Sequence, residues 1–416
     1  MVTAVADSPG LPRARSRSRH LTGFWLVTAA VVGLQAFATL PTPLWPLYAK
    51  LDGLDSTLVT VAFGVTVVGT VAGLTFLGHL SDRFGRRRII VPALVVGVAA
   101  AVVMLIWPAY PGLLVGRFLT GLAVGLVAST ATTYLSDLHR AARPSSSRPR
   151  FASTVASIAL LGGLSLGPLV SGAIAQWVVA PLATPYLVFI VAMTVGIVAV
   201  LLSPETVIPH AHRAHPGRRF RLLDGQRLAF VGASAVAFCS FSGFGVLLSL
   251  GSLIVQSELH VTAPFIWGFA AFVALGVSAI SQIALAALTP RWMLGIGTGA
   301  AGAGFLVIII GLFNPSLTLF LVGAGIAGAG LGLLFKSALA VAVATANPAS
   351  RAGVIAVFFT ITYLGQGLPP VLLAVATSFV SAQVGLCGFA IAIVVVTLVA
   401  ARLQVSALRA QVTPPR

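Results

Sequence analysis

Gly78-His79-Leu80-Ser81-Asp82-Arg83-Phe84-Gly85-Arg86-Arg87 lies between two long apolar runs, at about residues 57–79 and 89–107. The string carries one acid, three arginines and two glycines in a fixed order. Asp82 stands at a helix end beside several arginines. A carboxylate there can make charge-assisted hydrogen bonds to a basic side chain or to a neighbouring helix N-terminus. Gly78 and Gly85 allow close helix approach and a tight turn. A loop that only had to be positive would account for the arginines but not for the order.

Each flanking run has about the 20 residues needed to cross a hydrocarbon layer of about 30 Å. Working outward with that length gives ten more runs. The first six are at about 24–48, 57–79, 89–107, 112–136, 152–177 and 183–202. Six more follow at about 228–254, 263–288, 292–312, 316–343, 353–377 and 383–403. Composition agrees: of 416 residues 58% are hydrophobic and 8% are charged, with a mean hydropathy of +1.04. Soluble proteins carry about 25% charged residues, so lipid must cover much of this surface. The expected fold is an all-α polytopic membrane protein of twelve transmembrane helices. The run 24–48 follows four arginines but is too long for a signal-peptide core and lacks a clear small-residue cleavage site, so it reads as an uncleaved first span.

The net charge of +17 would suggest nucleic acid in a soluble chain. Here 22 of the 25 Lys and Arg residues fall in the tails and in alternate loops, on one side of the membrane. Lys50 falls on the other side, and Arg117 and Lys336 fall within spans. Positive loops face the cytoplasm, which predicts cytoplasmic termini in an inner, or cell, membrane and no nucleic-acid partner. The longest polar interruption then divides the chain into a tail (1–20), a six-span half (21–203), a linker (204–227), a second half (228–404) and a tail (405–416). Cys239 and Cys387 read as small buried hydrophobes, and His210, His212 and His215 as solvated loop residues, so no metal or other cofactor is expected.

The two halves resemble each other. Leu114 begins LVGRFLTGLAVGL and Leu321 begins LVGAGIAGAGLGL, so a shift of 207 places Gly116 on Gly323, Gly121 on Gly328 and Gly125 on Gly332. The LSDR at Leu80 and the LTPR at Leu288 match at a shift of 208. A duplicated six-helix unit follows, as transporters often show.

The loop string resembles the signature loop of the major facilitator superfamily at essentially every defining position. The resemblance implies two pseudo-symmetric six-helix bundles, alternating access without enzymatic activity, and a functional monomer. It also implies a latch formed by Gly78, Asp82, Arg83, Gly85, Arg86 and Arg87. Gly116-Arg117-Phe118-Leu119-Thr120-Gly121 is similar to the family's fourth-helix motif linked to proton coupling, with Thr120 at a position usually held by another polar residue. An arginine inside a span is costly unless it faces protein or water, or snorkels to the interface. Gly163-Leu164-Ser165-Leu166-Gly167-Pro168-Leu169-Val170-Ser171-Gly172 resembles the fifth-helix motif of the family's exporters, with Ser171 where glycine is usual. Gly163, Gly167 and Gly172 let helices approach, and Pro168 removes a backbone hydrogen bond. That motif implies export of a drug, antibiotic or metabolite by proton antiport. Uptake of a small metabolite is the alternative.

None of the eight acids lies in the middle of a span, so proton exchange lacks its usual buried carboxylate. Asp137, at the inner end of the fourth span, and the embedded cations Arg117 and Lys336 are the candidates for coupling. If Arg117 and Lys336 face the cavity, they favour anionic or neutral substrates; Lys336 could instead snorkel to the surface. Polar and aromatic candidates for the cavity are Gln35, Phe241, Ser242, Gln282, Tyr363 and Gln366. A membrane enzyme would need a nucleophile–base pair or paired carboxylates, which the acids are too scarce to supply.

Overall fold

The computed structural model describes residues 10–77, 85–143, 149–206 and 220–409. Twelve helical stretches among them are long and apolar enough to cross a membrane, and they run in the expected order from Arg17–Asp52 to Ala382–Leu403. We number these spans one to twelve. The fold is all-helical, with six spans on each side of the linker.

The exposed surface has the inside-out character of a lipid-covered protein. In span six (Thr184–Leu202), Val188, Val191, Val195, Val198 and Leu202 recur every three or four residues and all are exposed. On a soluble helix such a stripe would face the core. Span seven (Arg227–Ser249) is the most enclosed, with 78% of its central stretch buried, against 22% for span twelve.

The duplicated glycines do the same work in both halves. A side chain at Gly121 of span four (Tyr110–Ala142) would collide with the Thr66 carbonyl of span two (Ser56–Thr75). A side chain at Gly328 of span ten (Leu317–Thr345) would meet the Ala274 carbonyl of span eight (Pro264–Ala284) in the same way. Gly116 and Gly323 face spans three and nine respectively. Backbone thus packs on backbone, the close approach that small residues allow where lipid offers no hydrophobic drive.

The expected spans depart from the observed helices in two informative places. The run 24–48 is not one helix: it stops at Thr39, passes through a short turn at Thr42–Leu44 and resumes at Trp45–Asp52. Pro41, Pro43 and Pro46 cannot donate backbone hydrogen bonds, which explains the interruption. The run 228–254 likewise splits at Leu250 into Arg227–Ser249 and Gly251–Ser257.

Candidate functional site

The interruption in span one releases backbone carbonyls inside the protein, where an unmet one is costly. Three of them are met by side chains from elsewhere in the chain. Arg117 of span four donates through Nη1 to the Ala38 carbonyl at 3.0 Å. Ser171 of span five (Phe151–Trp177) donates to the Leu40 carbonyl at 2.8 Å. Pro46 leaves the Thr42 carbonyl without its helical donor, and Ser252 of the Gly251–Ser257 helix supplies one at 2.8 Å. Ser171, a departure from the motif at the sequence level, is therefore a backbone cap.

The second interruption answers the first. Leu248 is in the last turn of span seven, where carbonyls lack helical partners, and Trp45 Nε1 donates to its carbonyl at 3.1 Å. The two bonds run in opposite directions between the same two broken helices and join the halves. Nearby, Phe265 N donates to Gln176 Oε1 at 2.9 Å, and Gly172 meets Gly268 of span eight. All of these contacts lie at the ends away from the arginine-rich loops. The halves are therefore fastened together on that face.

Arg117 is only 2% exposed, so it does not snorkel. Its guanidinium lies 5.6 Å from the centre of the Trp45 ring and 5.8 Å from that of Phe63, within cation–π range. Tyr48 stands beside Trp45 and shares a buried 2.8 Å hydroxyl–hydroxyl hydrogen bond with Tyr186 of span six. Sequence reading missed Trp45, Tyr48 and Tyr186. The proline-rich run Pro41–Pro46 was the available signal, because broken helices need side-chain partners.

Pro168 lies inside the helix of span five and has no backbone N–H to donate. It frees the Leu164 carbonyl, which accepts from Thr39 Oγ1 at 2.8 Å and ties span five to the end of the first helix. Gly163 and Gly167 pack on span one, opposite Gln35 and the Ala36 carbonyl respectively.

At the arginine-rich face, Gly78, Asp82 and Arg83 lie outside the described residues, and the rest of the loop does not stand alone. Gly85 has φ +106°, and the Glu205 carboxylate fills the place a side chain would take. Glu205 accepts from the backbone N–H of Arg86 and of Arg87, both at 3.0 Å, at the start of span three (Arg87–Ile106). Arg87 Nη1 returns a bond to the Leu201 carbonyl at 3.1 Å, at the end of span six. A carboxylate on a helix N-terminus and a cation on a helix C-terminus both complement the helix dipole. Asp137 lies 3.8 Å from Arg86 and 3.7 Å from Arg140, within this charged layer. Glu205 was not foreseen, because nothing local links it to a glycine 120 positions earlier.

The expected cavity residues divide. Gln35 is buried against span five, with its Oε1 unpartnered and a long 3.5 Å contact from Nε2 to the Leu160 carbonyl. Ser242 bonds back to Phe238 of its own helix, and the Gln282 side chain to Ser278 of its own. Gln366 is half-buried. Phe241 and Tyr363 do come together, edge to face at 5.5 Å. Two rings the sequence did not flag, Phe335 and Phe359, complete the group. Lys336 adjoins Phe335 and donates to the Gln282 carbonyl in the last turn of span eight.

A model described as Major Facilitator Superfamily matches residues 25–292. The chain belongs to the Major Facilitator Superfamily. Among curated members it is 31% identical to the inner membrane transport protein YnfM of Escherichia coli (strain K12) over 118 residues, 27% of this chain and 28% of that protein. It is 26% identical to the arabinose-proton symporter of Bacillus subtilis (strain 168) over 153 residues, 32% of this chain and 30% of that one. The matches thus span less than a third of these relatives. Among solved structures, the nucleoside transporter NupG aligns with a TM-score of 0.73 at 12% identity, over 92% of this chain and 99% of that one. The POT family transporter PepTSo aligns at 0.71 with 13% identity, over 94% and 98%. Identities so low speak for the superfamily fold alone. Family and fold are those of membrane transporters rather than of enzymes.

Proposed function

We propose that this facilitator moves a small amphipathic compound across the cell membrane by alternating access, exporting it in exchange for protons. The observation that carries this reading is the one-sided fastening: Trp45 to Leu248 and Ser252 to Thr42 hold the halves together at one face. Two side-chain hydrogen bonds, each worth about 1 kcal/mol net, make a closure that a transport cycle can break. The positive-inside rule puts the arginine-rich loops in the cytoplasm, so the fastened face is the outer one. Both termini are then cytoplasmic. The moving units are residues 21–203 and 228–404, joined by the linker 204–227.

The signature loop acts in this scheme as the inner latch. Asp82, Arg83 and Arg86 form it, and Glu205 shapes the turn at Gly85. The fifth-helix string through Gly167 and Pro168 supports export, by its resemblance to exporters. The aromatic rings of Phe241 and Tyr363, in contact at 5.5 Å, support an amphipathic cargo. Proton exchange falls to Arg117, Lys336 or Asp137, since no carboxylate occupies a mid-span position.

Uptake is the second reading, and the relatives favour it. They include the arabinose-proton symporter of Bacillus subtilis and the glucose transporter GlcP of Staphylococcus epidermidis, 32% identical over 85 residues. The deciding experiment is accumulation of a labelled compound panel in a bacterium stripped of its main efflux pumps, with and without a protonophore. Lower accumulation that the protonophore abolishes is the expected result. Higher accumulation that depends on Asp82, tested with Asp82→Asn, would make the chain an importer.

A further inference from the structure

Four aromatic rings from three helices meet in the second half. Phe241 of span seven lies 5.0 Å from Phe335 of span ten and 5.5 Å from Tyr363 of span eleven (Gly353–Ala376). Phe359 closes the group, 6.2 Å from Phe335 and 6.3 Å from Tyr363. Aromatic packing alone could produce such a group, but a packing core would be sealed. Here the neighbours Phe244 and Phe358 are fully buried, while the four convergent rings are only partly buried. Span seven is the most enclosed span, and Phe241 is one of its few residues that are not fully buried.

A cation stands next in the chain to one of these rings. Lys336 follows Phe335 directly and is turned toward span eight, where its ammonium meets the Gln282 carbonyl. It is half-exposed, and among the described residues no carboxylate forms an ion pair with it. An ammonium has three donors, so two remain after the Gln282 carbonyl. Phe335 and Phe359 lie within about 15 Å of the inner ends of their helices, and Lys336 about 13 Å from its own, at 1.5 Å per residue. Phe335 and Lys336 therefore sit at nearly the same depth, with Phe241 about 21 Å from the inner end of its own span. Nearby, Ser242 donates to the Phe238 carbonyl and Gln282 Nε2 to Ser278, each within its own helix.

We infer that the substrate is a planar aromatic anion, held by its ring among Phe241, Phe335, Phe359 and Tyr363 and by its carboxylate at Lys336. This rests on the transport reading above and narrows its cargo. The ring faces supply area and edge-to-face contacts. The ammonium supplies a charge-assisted hydrogen bond.

The test uses the full chain in lipid nanodiscs, with 2-naphthoate as probe. Its neutral amide and decahydronaphthalene-2-carboxylate serve as controls. Binding is read by titration calorimetry, and transport by proteoliposomes loaded with each compound. Wild-type protein is expected to prefer the acid to the amide by about tenfold, the worth of one charged hydrogen bond. Lys336→Gln should erase that preference and leave amide binding unchanged, whereas Lys336→Arg should keep it. Loss of a merely structural helix cap would weaken acid and amide alike. Phe335→Leu should weaken both aromatic probes by about three- to tenfold and bring the aromatic acid level with the saturated acid.

Equal binding of the saturated and aromatic acids overturns the proposal. So does an acid-to-amide ratio that survives Lys336→Gln, or no binding of the acid at all. Transport of cationic or saturated compounds by the same vesicles would leave the transport reading standing and remove this one. Binding with the predicted preferences but no flux under any gradient would do the reverse.

Discussion

The cluster around the break in span one and the aromatic group around Phe241 are both polar–aromatic sites beside an embedded cation, yet they are built in opposite ways. Around the break, Arg117 is sealed, its guanidinium divided between the Ala38 carbonyl and the rings of Trp45 and Phe63. Around Phe241, the rings and Lys336 keep open sides. A desolvated cation without a carboxylate partner persists only where carbonyls and ring faces replace its water. A half-solvated ammonium needs no such enclosure. The first cluster is thus a structural joint, and the second is the one we propose as a ligand site.

The largest effect should fall on what the two halves share. Gly121→Leu and Gly328→Leu each force a side chain into a carbonyl of the neighbouring helix, at a cost of about 3 kcal/mol or more. Both variants should lose the monodisperse peak on size-exclusion chromatography in detergent. Tolerance of one but not the other would show that the halves do not pack alike.

Next comes the sealed cation. Arg117→Met leaves the buried Ala38 carbonyl without its donor and should cost about 1–3 kcal/mol in thermal unfolding. Trp45→Phe keeps the ring and removes one bond between the halves, worth about 1 kcal/mol. Its clearest signature is faster labelling by a membrane-impermeant maleimide of a cysteine placed at the buried Leu44, in a chain lacking Cys239 and Cys387. Unchanged labelling would mean that the Trp45 bond does not hold the outer face shut.

The smallest effect belongs to the open cation. Lys336→Met should shift unfolding by within about 0.5 kcal/mol, as for a partly solvated side chain. If it proves as costly as Arg117→Met, the contrast between joint and ligand site fails.

Much of this was legible because it is local or periodic. Proline at 41, 43 and 46 announces a broken helix, and the shift of 207 that pairs Gly121 with Gly328 announces a duplicated scaffold. The importance of Arg117 was legible too, since a charge in a span must be explained. Its mode was not. Chemistry allows snorkelling, cavity lining or capping, and only the position of the Ala38 carbonyl selects among them. Ser242 and Gln282 went the other way: polar residues in spans, they spend their hydrogen bonds on their own helices.

The sequence alone determined the twelve spans, the sidedness of charge, the repeat and the family, because hydropathy, charge placement and glycine spacing act over a few turns of helix. Which side chain meets which freed carbonyl was decided by tertiary structure. Ser252 reaches the Thr42 carbonyl from 210 positions away, and Trp45 reaches that of Leu248 from 203. A proline shows that a carbonyl is free, but its partner depends on how two broken helices face each other across the halves, and no local pattern encodes that.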